Sequence, residues 1–153
     1  MTDQKAPPAL SDEDMLARFQ NSKKRPACSD ILGMRVVALS QADKSLTMDF
    51  QVPDSFANPT GAVQGGFIAA LLDEAMGTVC IMASNVTMTA PTLEMKISYF
   101  QRLMPGPARV TTQVLKWGKS VVFLEASCFD PDERLVAKAT ATALPKAFMR
   151  HTS

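Results

Sequence analysis

Two glycines and a pair of carboxylates hold most of the chemistry this chain can offer. The turn-forming segment Asn58-Pro59-Thr60-Gly61-Ala62-Val63-Gln64-Gly65-Gly66 runs straight into an apolar stretch that carries Asp73 and Glu74 in its middle. Carboxylates are costly to bury, so a pair inside the most hydrophobic segment calls for a reason. Glycines where a helix begins expose backbone N–H groups that can polarise an oxygen. Such donors stabilise the oxyanion of an acyl-transfer intermediate. A carboxylate can attack the carbonyl carbon or deprotonate a water.

The rest of the inventory narrows the chemistry. The only histidine is His151, two residues before the end of the 153-residue chain. A Ser-His-Asp or Cys-His system would need that tail to fold back into the site, and a zinc site with several His ligands is excluded. Cys28, Cys80 and Cys128 lack metal-ligand spacing and read as reduced thiols of a cytoplasmic protein. Without a Ser-His pair or a metal, the target is an activated acyl group rather than an ordinary ester or amide. No metal and no cofactor are expected.

The formal net charge of +1 and 20% charged residues give no broad nucleic-acid or membrane footprint. Residues 63–82 are apolar enough to raise a membrane span, but Asp73-Glu74 near their centre makes insertion expensive. The first eight residues are polar, and no secretory signal is expected.

These groups need an element to position them. A helix is expected over roughly 64–82, apolar nearly all round and therefore buried on most sides. Gly65 and Asp73 are eight residues apart, about 12 Å of helix rise. Within one subunit they cannot reach the same small group. Across a two-fold axis, two antiparallel helices could bring the start of one to the middle of the other. That arrangement predicts two sites per dimer, each built from both chains. Glu74 is offset from Asp73 by about 100°, so the two cannot point at the same place.

Period-two alternation marks the strands. They are expected at 34–40, 45–52 (Leu46, Met48, Phe50 and Val52 on one face), 93–99, 108–117, 121–129 and 135–143. Turns are expected at 41–44, at Gly118-Lys119 and at 130–133. Ser11 with Asp14 resembles a capping box opening a short N-terminal helix, with Met15, Leu16 and Phe19 on its apolar stripe. Lys23-Lys24-Arg25-Pro26 reads as a solvated basic loop. The order is β-β-α-β-β-β-β, an α+β arrangement in which one curved antiparallel sheet wraps around one long central helix. One domain is expected over 1–153, with an extension at 1–26, a core at 27–145 and a tail at 146–153.

The segment 58–77 resembles hotdog-fold acyl-CoA thioesterases, in the branch typified by phenylacetic-acid-pathway thioesterases. That family's pattern runs Asn-x-x-Gly-x-x-His-Gly-Gly, six residues, then Asp or Glu. Asn58, Gly61, Gly65, Gly66 and Asp73 match in register. Residues 92–100, 114–119 and 135–140 resemble the family's later strands and basic hairpin, so the likeness covers about 31–145. The resemblance implies the following roles. Asp73 is the catalytic carboxylate, and the Gly65 N–H polarises the thioester carbonyl. Asn58 holds the water or the attacking group, and Thr92 helps place the water. It also implies an acyl-CoA substrate and a homodimer joined edge to edge, paired into a homotetramer. Gln64 stands where the family has His; it can donate and accept hydrogen bonds but cannot titrate. Gly66 and Met76 are expected to line the substrate site. Lys116 and Lys119 are either contacts to the nucleotide phosphates of coenzyme A or solvated hairpin charges. A second reading, motivated by Gln64, is a non-catalytic acyl-CoA binding or sensing protein. A hotdog dehydratase would need an active-site His, for which His151 is badly placed.

Overall fold

The computed structural model describes residues 10–23 and 25–148. His151 and Lys24 lie outside them. The elements run α1 (Asp12–Gln20), α2 (Ala27–Ile31), β1 (Met34–Ser40), β2 (Ser45–Val52), a 3-10 turn at Asp54–Phe56, and α3 (Gly65–Ala83). Then come β3 (Met88–Thr89), β4 (Thr92–Tyr99), β5 (Gly106–Trp117), β6 (Val122–Phe129), β7 (Leu135–Ala143) and β8 (Lys146–Ala147). Six strands form one antiparallel sheet in the order β1-β2-β5-β6-β7-β4. This is the hotdog arrangement, with the sheet curved around α3. The pair β3–β8 forms a separate two-stranded ribbon. That ribbon and α2 were absent from the sequence expectation, because two-residue strands and a five-residue helix carry no periodicity.

The alternation in β2, β5 and β6 turns one face of each strand inward. Leu46, Met48, Phe50, Val110, Leu124 and Cys128 from those faces meet Ile68, Leu72, Ala75, Met76 and Val79 of α3 in one buried core. Helix α1 begins as expected: the Ser11 hydroxyl accepts from the Asp14 N–H at 3.0 Å, and Met15 is fully buried. The turn at 130–133 is tied by Asp130, whose Oδ1 accepts from the N–H groups of Asp132 and Arg134.

The helix departs from the expectation in one respect. It is long and apolar enough to cross a membrane by length and composition, yet only half of it is buried within this chain. The inward side holds Ile68, Leu71, Leu72, Ala75, Met76, Val79, Cys80 and Met82. Ala69, Ala70, Asp73, Gly77 and Ile81 are only half-buried, and Gly66 is exposed. They recur at the three- and four-residue spacing of one helix face.

The two sheet edges also differ. At β1, Gln20 Nε2 donates to the Val36 carbonyl (2.9 Å) and Arg25 to the Met34 carbonyl (3.3 Å). These side chains occupy backbone acceptors of that edge. At the other edge, β4 is exposed along most of its length, and apolar Leu93 and Phe100 are 58% and 59% exposed.

Candidate functional site

The loop before α3 is a small hairpin that sets the helix start. Ala57 bridges Val63, the Asn58 N–H donates to the Ala62 carbonyl (2.7 Å), and the Gly61 N–H to the Asn58 carbonyl (2.9 Å). Gly61 sits at φ +81, a conformation glycine adopts without steric cost. Asn58 Oδ1 accepts from both the N–H and the hydroxyl of Thr60, at 2.9 and 2.7 Å. Its carboxamide oxygen is thus used within its own turn, which leaves its NH2 group to act as a donor. Phe56 and Phe67 stack across the helix entry with ring centroids 3.7 Å apart.

Gln64 is the N-cap of α3. Its Oε1 accepts from the Gly66 N–H at 2.7 Å. A Cβ at position 66 would lie 2.8 Å from that oxygen, so a side chain there would push the Gln64 carboxamide from its cap. The Gly66 N–H is therefore engaged. The Gly65 N–H has no acceptor among the described residues, and it sits at the positive end of the helix dipole. Of the two glycines, Gly65 is the one whose donor is free.

In the middle of α3 the two carboxylates have different surroundings. Asp73 Oδ1 accepts from the Thr92 hydroxyl at 2.6 Å. Glu74 Oε1 accepts from the hydroxyl of Ser29, which is 1% exposed, at 2.6 Å. Glu74 ties α2 to α3. Asp73 stays on the half-open helix face, with Thr92 at the start of the edge strand β4.

The remaining sequence-predicted residues spread out. Met76 is buried in the core on the inward side of α3. Lys116 and Lys119 are exposed around the β5–β6 hairpin. That hairpin and Thr92 share one end of the sheet, because Trp117, Val122, Ala143 and Thr92 are partners across β5, β6, β7 and β4. Three strand spacings separate them, roughly 14 Å.

Two residues at the site escaped the sequence reading. Ser29 settles the role of Glu74 from 45 positions away. Tyr99, the only tyrosine, donates from its hydroxyl to the Gly65 carbonyl at 2.9 Å, and its ring lies 3.5 Å from where a Gly65 Cβ would be. A groove of about 840 Å³ on the outer sheet face, lined by Arg35, Asp49, Gln51, Arg109 and Glu133 among others, contains none of the sequence-predicted site residues. Asp49 is paired there with Arg109 at 2.7 Å.

Comparison with known proteins bears on this geometry. The sequence profile of the thioesterase superfamily matches residues 60–137, which include Gln64, Gly65, Asp73, Thr92 and the basic hairpin. A crystallised phenylacetic acid degradation-related protein of Ralstonia eutropha JMP134 is 27% identical. It superposes with a TM-score of 0.78 over 85% of this chain and 98% of its own. A conserved protein of Pseudomonas aeruginosa is 28% identical, with a TM-score of 0.73 over 80% of this chain and 95% of its own. A relative in Saccharolobus solfataricus, provisionally named an esterase, is 26% identical over 117 residues, 76% of this chain and 81% of its own.

Proposed function

The chain belongs to the thioesterase superfamily, and we propose that it hydrolyses the thioester of an acyl- or aryl-coenzyme A to the free acid and coenzyme A, in sites each built from two copies of the chain. The observation that carries this reading is the division of labour along α3. The Gly65 N–H is free while that of Gly66 is engaged, and Asp73 is held by Thr92 on an open face while Glu74 is tied inward by Ser29.

The chemistry follows from those groups. The thioester carbonyl oxygen accepts from the Gly65 N–H, whose donor strength and helix-start position favour the oxyanion. In the general-base route, Asp73 of the partner subunit takes a proton from water. The hydroxide adds to the carbonyl carbon, and the tetrahedral intermediate expels the coenzyme A thiolate, which recovers the proton. In the nucleophilic route the carboxylate itself adds and expels the thiolate, and water then cleaves the mixed anhydride. The NH2 groups of Asn58 and Gln64 are donors for the carbonyl, the sulfur or the water. Thr92 fixes the Asp73 carboxylate.

Two copies are required by length and supported by surface. Gly65 and Asp73 are too far apart along one helix to act on one carbonyl. The half-open face of α3 carries small residues that let a second helix approach closely. The bare β4 edge, with apolar Leu93 and Phe100, supports sheet extension there, whereas the β1 edge is occupied by Gln20 and Arg25. An isologous dimer through β4 would place α3 beside its symmetry mate, and pairing of such dimers would give a tetramer. Lys116 and Lys119, at the Thr92 end of the sheet, are candidates for the nucleotide phosphates.

One observation favours a second reading, a protein that binds acyl-CoA without turnover. Gln64 cannot titrate, and its carboxamide oxygen is committed to the helix cap. A panel of straight-chain and aryl acyl-CoA thioesters, followed by thiol release and by calorimetric binding, separates the two. Hydrolysis of at least one is expected. Binding without hydrolysis across the panel favours the second reading, and neither binding nor hydrolysis contradicts both.

A further inference from the structure

The Tyr99 hydroxyl reaches a peptide unit that the reaction itself would use only indirectly. Its acceptor is the carbonyl of Gly65, and that carbonyl belongs to the same peptide group as the Gly66 N–H. The Gly66 N–H in turn donates to Gln64 Oε1 at 2.7 Å. Three polar groups are thus in series: phenol to carbonyl, across one peptide plane, then N–H to carboxamide oxygen. A donor on a peptide carbonyl polarises the N–H of the same unit and strengthens the bond that N–H makes. With Oε1 held by the Gly66 N–H, the polar group the carboxamide has left is its NH2, which can only donate.

We propose that Tyr99 is a positioning residue for thioester hydrolysis, acting through the Gly65–Gly66 peptide to lock the Gln64 carboxamide with its NH2 group towards the substrate. This rests on the thioesterase reading above. Tyr99 is suited to the task. Its strand, β4, is anchored along β7 by the pairs from Thr92–Ala143 to Tyr99–Ala137, and the same strand carries Thr92 at its other end. One strand therefore braces both halves of α3's chemistry, Thr92 on the carboxylate at mid-helix and Tyr99 on the helix start. The ring lies 3.5 Å from where a Gly65 Cβ would stand, and Tyr99→Phe removes the hydroxyl while keeping the ring.

The test is a double-mutant cycle with a structural readout beside it. Tyr99→Phe is expected to lower kcat about fivefold, the worth of one neutral hydrogen bond, with Tm and the dimeric state unchanged. In a Gln64→Ala background the same substitution is expected to have no further effect on kcat. In nuclear magnetic resonance spectra, Tyr99→Phe is expected to speed hydrogen exchange at the Gly66 amide and to move the Gln64 side-chain NH2 resonances. Unchanged Gly66 exchange and unchanged Gln64 resonances overturn the proposal whether or not the protein hydrolyses any thioester. An undiminished Tyr99→Phe effect without Gln64 overturns it for an active enzyme. A wild-type protein inactive on every thioester would instead count against the thioesterase reading, and the resonance arm would still decide the relay.

Discussion

Thr92 Oγ donates to Asp73 Oδ1 at 2.6 Å, joining the first residue of an edge strand to the middle of the central helix. The bond is short and its acceptor is a carboxylate, so it belongs to the stronger class of side-chain hydrogen bonds. It holds a half-buried carboxylate on the half-open face of α3.

Removal of that restraint should cost rate rather than stability. Thr92→Val keeps the β-branched shape and deletes the hydroxyl. We expect kcat to fall by roughly ten- to a hundredfold, the range for a hydrogen bond to a charged group, with KM changed by much less. Steady-state kinetics on the best acyl-CoA substrate checks this. An unchanged kcat would mean that Thr92 is an ordinary strand residue.

Glu74 should behave in the opposite way. Ser29 is buried and bonded to Glu74, so Ser29→Ala leaves a carboxylate oxygen short of a partner. The expected cost is about 1–3 kcal/mol of stability, or a Tm lower by several degrees at roughly 2–4 °C per kcal/mol. Turnover per folded site should stay at the wild-type value. A large loss of kcat without loss of stability would move Glu74 into the chemistry.

The thiols give a pH dependence with a definite sign. All three cysteines are free, and only Cys28 is exposed. Burial pushes the Cys80 thiol up to about 12 from its ordinary 9.0, and burial, reinforced by nearby Asp130, does the same for Cys128. The folded chain keeps both protons over a range in which the unfolded chain has lost them. Their contribution to stability is complete below about pH 9 and falls as pH rises towards 12. Urea midpoints should decrease across that window, and Cys80→Ala with Cys128→Ala should flatten the slope. At pH 8 a thiol reagent should label one cysteine in the native protein and three in denaturant.

Much of this fold was legible from the order of residues. Alternation in 45–52 and 121–129 placed strands because one face of each meets α3, and Gly65-Gly66 marked the helix start because a hairpin must end there. Helix geometry showed that Asp73 and Glu74 point in different directions; the choice of Asp73 came from the register of the family pattern. What stayed hidden depends on partners distant in sequence. Ser29 lies on a five-residue helix and meets Glu74 from 45 positions away, and Tyr99 meets Gly65 from 34. Gln64 was legible only as a departure from a pattern; its role as the N-cap was not, because glutamine is outside the short side chains that usually cap helices. The uneven burial of α3 was also out of reach, since an all-apolar helix reads the same whether its cover comes from its own chain or from a second copy.

The claim that Gly65 of one subunit works with Asp73 of the other is tested most directly by mixed dimers. Gly65→Pro deletes the one free N–H at the first helical position, where proline is tolerated; Gln64 before it is already extended, at ψ 137. Asp73→Asn removes the carboxylate function and keeps its shape. Each variant alone should lose kcat by a hundredfold or more. Co-expressed in equal amounts, they form heterodimers in which one site of each pair regains both groups, and about a quarter of wild-type activity should return. A mixture as inactive as its parents, with heterodimers demonstrated by differential tags, would contradict the shared site, and full activity in Asp73→Asn alone would contradict the carboxylate's role.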